Sequence, residues 1–252
     1  MHTKPSIFAL IIGTEILNQR RKDAHFDFLA HALIEHGYRL KGSFIIEDDP
    51  ALIINMLKFI ASQPNPILFC FGGIGSTPDD HTRKCAAIAL RNGQTEVHEE
   101  AKRIIEETLG KHAYPHPIKM AELPKGSKLL HNPVNNMPAF YLDDRFFFMP
   151  GFPEMSHPMV KEILQTKIPK GSPLYRYTLT AQCKENEFIE RMEQTPKGVE
   201  ISSLPKLHDD TRWHVTISVA SHDKVLAKET FETYIKDLKN KKIPYTLDDD
   251  KA

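Results

Sequence analysis

The sequence predicts an α/β protein: a three-layer α/β/α domain, a mostly parallel sheet covered by helices on both faces, over residues 1–168, then a small α+β lobe of ferredoxin-like or KH-like type over residues 174–252. Three observations point there. Apolar runs at 7–12, 38–46 and 67–71 alternate with segments of helical period, the rhythm of strand–helix–strand units with right-handed crossovers. Ile168-Pro169-Lys170-Gly171-Ser172-Pro173 then reads as a linker. Beyond it the order strand, helix, strand, strand, helix, strand is that of a split βαβ unit.

The first strand, 7–12, ends at Gly13-Thr14-Glu15. Asp23 reads as an N-cap for a helix with Phe26, Leu29, Leu33 and Ile34 at helical spacing, and Gly37 sits where a helix commonly ends. After the second strand, Glu47-Asp48-Asp49-Pro50 is a turn in which Asp49 caps and Pro50 opens a helix carrying Leu52, Ile53, Met56, Leu57 and Ile60. The third strand breaks into Gly72-Gly73-Ile74-Gly75-Ser76-Thr77, and a helix is expected over 78–91, another over 98–109. Glu99 and Glu100 suit the start of the latter through its dipole. Runs at 139–142 and 145–149 around Asp143-Asp144 predict a hairpin, and Pro150-Gly151-Phe152-Pro153 a rigid turn into a helix ending near 167. In the lobe, strands are expected at 174–182, 198–204, 213–220 and 243–247, with helices at 185–194 and 224–239; Ala227, Phe231, Tyr234, Ile235 and Leu238 of the last helix form one core-facing stripe.

In parallel sheets ligands bind beyond the carboxyl ends of the strands. That rule gathers Gly13-Thr14-Glu15, Glu47-Asp48-Asp49 and the loop 72–80 onto one rim. Glycines admit close backbone approach, and helix-start amides attract phosphate. Asp79 and Asp80 oppose that: each would repel a phosphate by about 4 kcal/mol at ~4 Å and an effective dielectric of ~20. A divalent cation between them reverses the sign. Capping competes as an explanation, because Thr77-x-x-Asp80 with Pro78 at a first helical position is itself a helix-start signal. Glu15 is either another ligand or a helix-start charge, and His81 reads as a solvated first-turn histidine.

Composition narrows the classes. The chain has 252 residues, with 33 basic side chains cancelling 33 acidic ones, so no overall field draws it to nucleic acid or an anionic membrane. Cys70, Cys85 and Cys183 are too few and scattered for a disulfide framework, which suits a cytoplasmic setting. The opening apolar run is too short for a membrane span, and the Asp248-Asp249-Asp250 tail reads as frayed. Gly171 and Gly198, the only glycines from the linker onward, cannot form the G-x-x-G loop of a nucleic-acid-binding KH lobe, so packing or dimerisation is the expected role of that lobe.

Gly13-Thr14-Glu15-Ile16-Leu17 together with Gly72-Gly73-Ile74-Gly75-Ser76-Thr77-Pro78-Asp79-Asp80-His81-Thr82 resembles the molybdopterin-binding domain of molybdenum-cofactor biosynthesis proteins and of competence/damage-inducible protein A, whose loop signature is GG-x-G-x-T-x-DD-x-T. Lys119-Met120-Ala121, Asn132-Pro133 and Pro150-Gly151-Phe152-Pro153-Glu154-Met155 resemble later segments of the competence/damage-inducible branch, and Thr14 stands where cofactor-synthesis members often carry aspartate. The resemblance covers residues 5–165 well. It implies a phosphorylated pterin or nucleotide as partner, held by Gly13, Thr14, Glu15, Gly72, Gly73, Gly75, Ser76 and Thr77. It also implies chemical roles for Asp80 and Asp48, and a divalent metal (Mg, Mn or Co) on Asp79 and Asp80. Relatives are associated with metal-dependent hydrolysis of ADP-ribose- or FAD-like pyrophosphates, and commonly self-associate, so a homo-oligomeric nucleotide pyrophosphatase is the expectation. The alternative is a non-catalytic binding protein related to molybdenum-cofactor biosynthesis. The chain ends before the deamidase domain of the longer relatives would begin, which argues against amidase activity.

Overall fold

In the computed structural model, which describes residues 5–207 and 213–248, the opening apolar run is strand β1 (Ser6–Ile12), and every residue of it is buried. A short helix α1 (Thr14–Leu17) follows, then α2 (His25–Glu35), β2 (Leu40–Ile46), α3 (Pro50–Ala61) and β3 (Pro66–Phe71). Strand β2 is shorter than expected, since Tyr38 and Arg39 lie outside it. Asp49 caps α3 by accepting from the Leu52 amide at 2.7 Å. Asp23 accepts from the amides of His25 and Phe26 at 2.9 and 3.0 Å, so it serves the start of α2 from one residue further out.

Next come α4 (Thr82–Arg91), β4 (Thr95–Val97), α5 (Glu99–Leu109), two 3-10 turns (Gly110–Ala113 and Pro117–Ala121), β5 (Glu122–Pro124), β6 (Lys128–Leu130), β7 (Ala139–Leu142), β8 (Phe146–Met149) and α6 (Pro153–Thr166). The expected helix over 78–91 is corrected here: it begins only at Thr82, because Asp80 folds back into the loop instead of capping a helix. The antiparallel pair β4–β5 was not foreseen, since Thr95-Glu96-Val97 is exposed and shows no apolar alternation.

The main sheet has the order β2-β1-β3-β8-β7-β6. Pairs β1–β2, β1–β3 and β3–β8 are parallel, while β7 and β6 extend the sheet antiparallel. Helices α2 and α6 pack together, as do α3 and α4, which gives the three-layer arrangement. Positions at helical spacing face the core: Leu29 and Leu33 from α2; Ile53, Leu57 and Ile60 from α3; Met159, Val160 and Ile163 from α6. The parallel strands place the ends of β1, β2, β3 and β8 on one rim.

The chain divides into units 1–170 and 171–252. The second contains β9 (Tyr175–Ala181), a 3-10 turn (Glu185–Phe188) running into α7 (Ile189–Glu193), β10 (Val199–Leu207), β11 (Trp213–Ser221), α8 (Lys224–Asn240) and β12 (Tyr245–Leu247). Its sheet order is β10-β11-β9-β12, antiparallel throughout, the arrangement of a ferredoxin-like lobe. Ala227, Phe231, Tyr234 and Leu238 of α8 are buried, and Ile235 packs beside them. Asp249 and Asp250 of the acidic tail lie outside the described residues. Among the described residues no helix is long and apolar enough to cross a membrane.

Candidate functional site

The turns after β1 and β2 are fastened to each other. Gly13 donates its amide to the Ile46 carbonyl at 3.0 Å. The Asp48 carboxylate then accepts at Oδ2 from the Thr14 amide (2.8 Å) and hydroxyl (2.9 Å), while the Asp48 amide donates to Thr14 Oγ1 at 3.1 Å. A threonine hydroxyl both donates and accepts, so Thr14 and Asp48 satisfy one another completely on that side, and no described residue donates to Asp48 Oδ1. Glu15 stays within its own loop, its carbonyl accepting from the amides of Arg20 and Arg21 at 2.9 and 3.1 Å.

The glycine loop closes on itself. Gly72 has φ +100°, and a Cβ there would stand 2.3 Å from the Ile12 carbonyl oxygen; at Gly73, φ +67°, it would stand 2.2 Å from Thr82 Oγ1. Only glycine meets both demands. Thr82, fully buried, donates its hydroxyl to the Gly72 carbonyl at 3.0 Å and its amide to that of Gly73 at 2.9 Å. Asp80 accepts from the Gly75 amide at Oδ1 (2.9 Å) and from the Thr77 amide at Oδ2 (2.8 Å). The amides of Gly75 and Thr77 are therefore spent inside the loop, whereas those of Gly73, Ile74 and Ser76 make no hydrogen bond among the described residues. Half-buried His81 follows, without a side-chain bond to the helix it precedes.

One hydroxyl serves both loop carboxylates. Thr77 Oγ1 lies 2.5 Å from Asp79 Oδ1 and 2.6 Å from Asp80 Oδ2. A single hydroxyl proton bonds one of them, so the other oxygen pair approaches without a proton between. The Thr77 hydrogen bond, and after it Asp79's own amide, holds the Asp79 carboxyl below the ordinary carboxylate range. This all-oxygen donor set suits a hard divalent cation. Among the described residues no group of three or more His, Cys, Asp or Glu could hold a metal, so waters or ligand oxygens would have to complete the shell.

Two buried polar residues behind the rim, Arg83 and His25, carried no sequence signal. Arg83, only 9% exposed, donates Nη1 to the carbonyls of Ile74 and Gly75. Burial lowers its pKa from the ordinary arginine value, against the opposing pull of Asp80 and Glu122. His25, 3% exposed, stacks on Phe71 with ring centres 4.4 Å apart and sets Nε2 3.3 Å from the Gly151 carbonyl. Neither residue carries a sequence signal, since charged residues in a helix's first turns usually face solvent. The second unit has a surface cavity of about 260 Å³ lined in part by Arg191 and Glu229, but Arg191 is already committed to Asp237 at 2.7 and 2.9 Å.

Comparison with known proteins agrees with this fold. A family model described as "Probable molybdopterin binding domain" matches residues 8–170. A protein of Caldivirga maquilingensis is 30% identical over 215 residues, covering 77% of this chain and 82% of that one. A CinA-like protein of Syntrophus aciditrophicus is 32% identical over 160 residues, 61% of this chain and 37% of that longer protein. Among solved structures, the protein CinA of Thermoplasma acidophilum, described as of unknown function, aligns with a TM-score of 0.59 at 24% identity, covering 66% of this chain and all but 1% of that one (99% covered), a likeness of fold. The chain belongs to the probable molybdopterin binding domain family, and CinA-like proteins are among its relatives.

Proposed function

We propose that this member of a family related to molybdenum-cofactor biosynthesis is a metal-dependent hydrolase of a nucleotide pyrophosphate linkage, taking an ADP-ribose- or FAD-like compound at the rim. The observation that carries the reading is the approach of Asp79 Oδ1 and Asp80 Oδ2 to the one hydroxyl of Thr77, at 2.5 and 2.6 Å, beside backbone amides free to receive phosphate. A divalent ion (Mg, Mn or Co) held by those carboxylates would supply neutralisation of pyrophosphate charge and polarisation of a phosphoryl oxygen. The amides of Gly73, Ile74 and Ser76 bind phosphate oxygens, and Gly13 and Gly72 let the ligand lie close to the backbone. Asp48, fixed through Oδ2 by Thr14, keeps Oδ1 to orient a water and take its proton as the P–O–P bond breaks.

The second reading is a pterin- or nucleotide-binding protein without turnover. It is favoured by the involvement of both Asp80 oxygens in loop hydrogen bonds. Incubating the purified chain with ADP-ribose and FAD, with and without Mg, Mn or Co, separates the two. Because Asp80 shapes the loop, Asp79→Ala is the informative variant: hydrolysis reading holds if it abolishes metal-dependent AMP release while the fold persists. Equal turnover in Asp79→Ala removes the metal assignment, and metal-independent binding without any turnover supports the second reading.

A further inference from the structure

Phe152 is a large apolar side chain left 55% exposed at the rim. It stands on the turn after β8, between Pro150 and Pro153, immediately beside Gly151, whose Cβ position lies 3.3 Å from the Cα of Gly72. That contact sets the turn directly against the start of the glycine loop. As the residue before α6, Phe152 has its carbonyl engaged by the amides of Met155 and Ser156, both at 3.0 Å. At this N-cap position a phenylalanine has no side-chain oxygen to offer the helix amides, and its ring stays half in solvent.

The guanidinium of Arg21 lies over the Phe152 ring, 5.5 Å from its centre. Arg21 comes from the turn after β1, where its amide is anchored to the Glu15 carbonyl at 3.1 Å. Among the described residues no carboxylate forms a salt bridge with Arg21. Two loops from different strands thus bring a planar cation and an aromatic face together on a turn that touches the start of the glycine loop. Flat heterocycles stack on such surfaces, and guanidinium groups serve both ring faces and phosphate oxygens.

We propose that Phe152 and Arg21 form the ring subsite of the rim, selecting a phosphorylated aromatic heterocycle, nucleotide or pterin, over phosphates that lack a ring. The assignment rests on the rim being the ligand site, as proposed above. The phosphate end lies on the amides of Gly73, Ile74 and Ser76, and the heterocycle stacks on the face of Phe152 opposite Arg21. Nothing in this subsite depends on metal or on turnover.

Binding of ADP-ribose and of ribose 5-phosphate is measured by calorimetry for wild type, Phe152→Ala, Phe152→Trp and Arg21→Ala, with thermal melts to verify folding. Phe152→Ala should weaken ADP-ribose by roughly 5- to 150-fold, the range for loss of one ring stack, while ribose 5-phosphate changes less than about twofold. Phe152→Trp should restore ADP-ribose binding, and Arg21→Ala should weaken it. If wild type binds both probes and Phe152→Ala weakens them equally or not at all, the ring subsite is wrong and the rim reading stands. If wild type binds neither probe, the rim reading fails and the subsite with it.

Discussion

Gly72 and Gly151 meet at van der Waals distance: a Cβ on Gly151 would stand 3.3 Å from the Cα of Gly72. The glycine loop and the turn after β8 are therefore closed upon each other at a point with little room for side chains. The two glycines differ in what they tolerate. At Gly72 a Cβ would also meet the Ile12 carbonyl oxygen at 2.3 Å, in a backbone of φ +100°. Gly72→Ala should cost more than about 3 kcal/mol, combining strain with displaced backbone. Gly151→Ala should cost less, under about 1.5 kcal/mol, because a shift of the neighbouring backbone by a few tenths of an ångström would relieve its tight contact. Urea unfolding of both variants tests the contrast, and equal losses would contradict it.

Arg83 supplies the loop from behind. Replacing it with methionine keeps much of its length but leaves the carbonyls of Ile74 and Gly75 without their charged donor. A loss of roughly 2 to 4 kcal/mol is expected, since hydrogen bonds to charged groups contribute ~1.5–3 kcal/mol each and are not additive. Amide exchange over residues 73–81 should accelerate more than exchange in β1. Unchanged exchange in that loop would show that Arg83 does not hold it.

His25 makes stability depend on pH. Burial, the largest influence, lowers its pKa from 6.5; the Gly151 carbonyl and Asp23 pull upward, while His157 and Arg21 push further down. Neutral His25 fits the site, with Nε2 as the donor to Gly151 and Nδ1 unpartnered. A histidine lowered on folding binds its proton first in the unfolded chain, so its contribution is complete above pH 6.5 and is lost as pH falls toward the folded value. His157, whose pKa is lowered chiefly by burial, adds the same sign. Between pH 7.5 and 5.5 the wild type should lose stability, and His25→Phe should flatten that slope while keeping the stack on Phe71. An unchanged slope in this variant would assign the effect to other groups.

Local chemistry was legible where the partner lies a few residues away. Asp49-Pro50 announced a cap, and Asp49 does accept from Leu52. The Thr77-x-x-Asp80 signal misled because the same residue types can close a loop: Asp80 bonds Gly75 and Thr77, and the helix waits until Thr82 is fixed by the carbonyls of Gly72 and Gly73. The Thr14–Asp48 clasp joins turns of two strands, and only the register of β1 against β2 makes it. Arg83 and His25 stayed hidden since their burial depends on what the rest of the chain packs over them.

The pairing of β3 with β8 has a consequence for the nascent chain. On its other side β3 pairs with β1, so both of its neighbours are needed to cover its backbone, and the second arrives only with residues 146–149. Until then β3 is an uncovered edge of apolar residues, open to pairing with another chain. The bond from Gly72 to the Met149 carbonyl, 3.0 Å, is likewise a late, long-range closure of the kind that slows folding. Synthesis must therefore pass the turn at Pro150 before the glycine loop acquires its final neighbour, and chains stopped after α5 should aggregate through the same strand that later presents the loop.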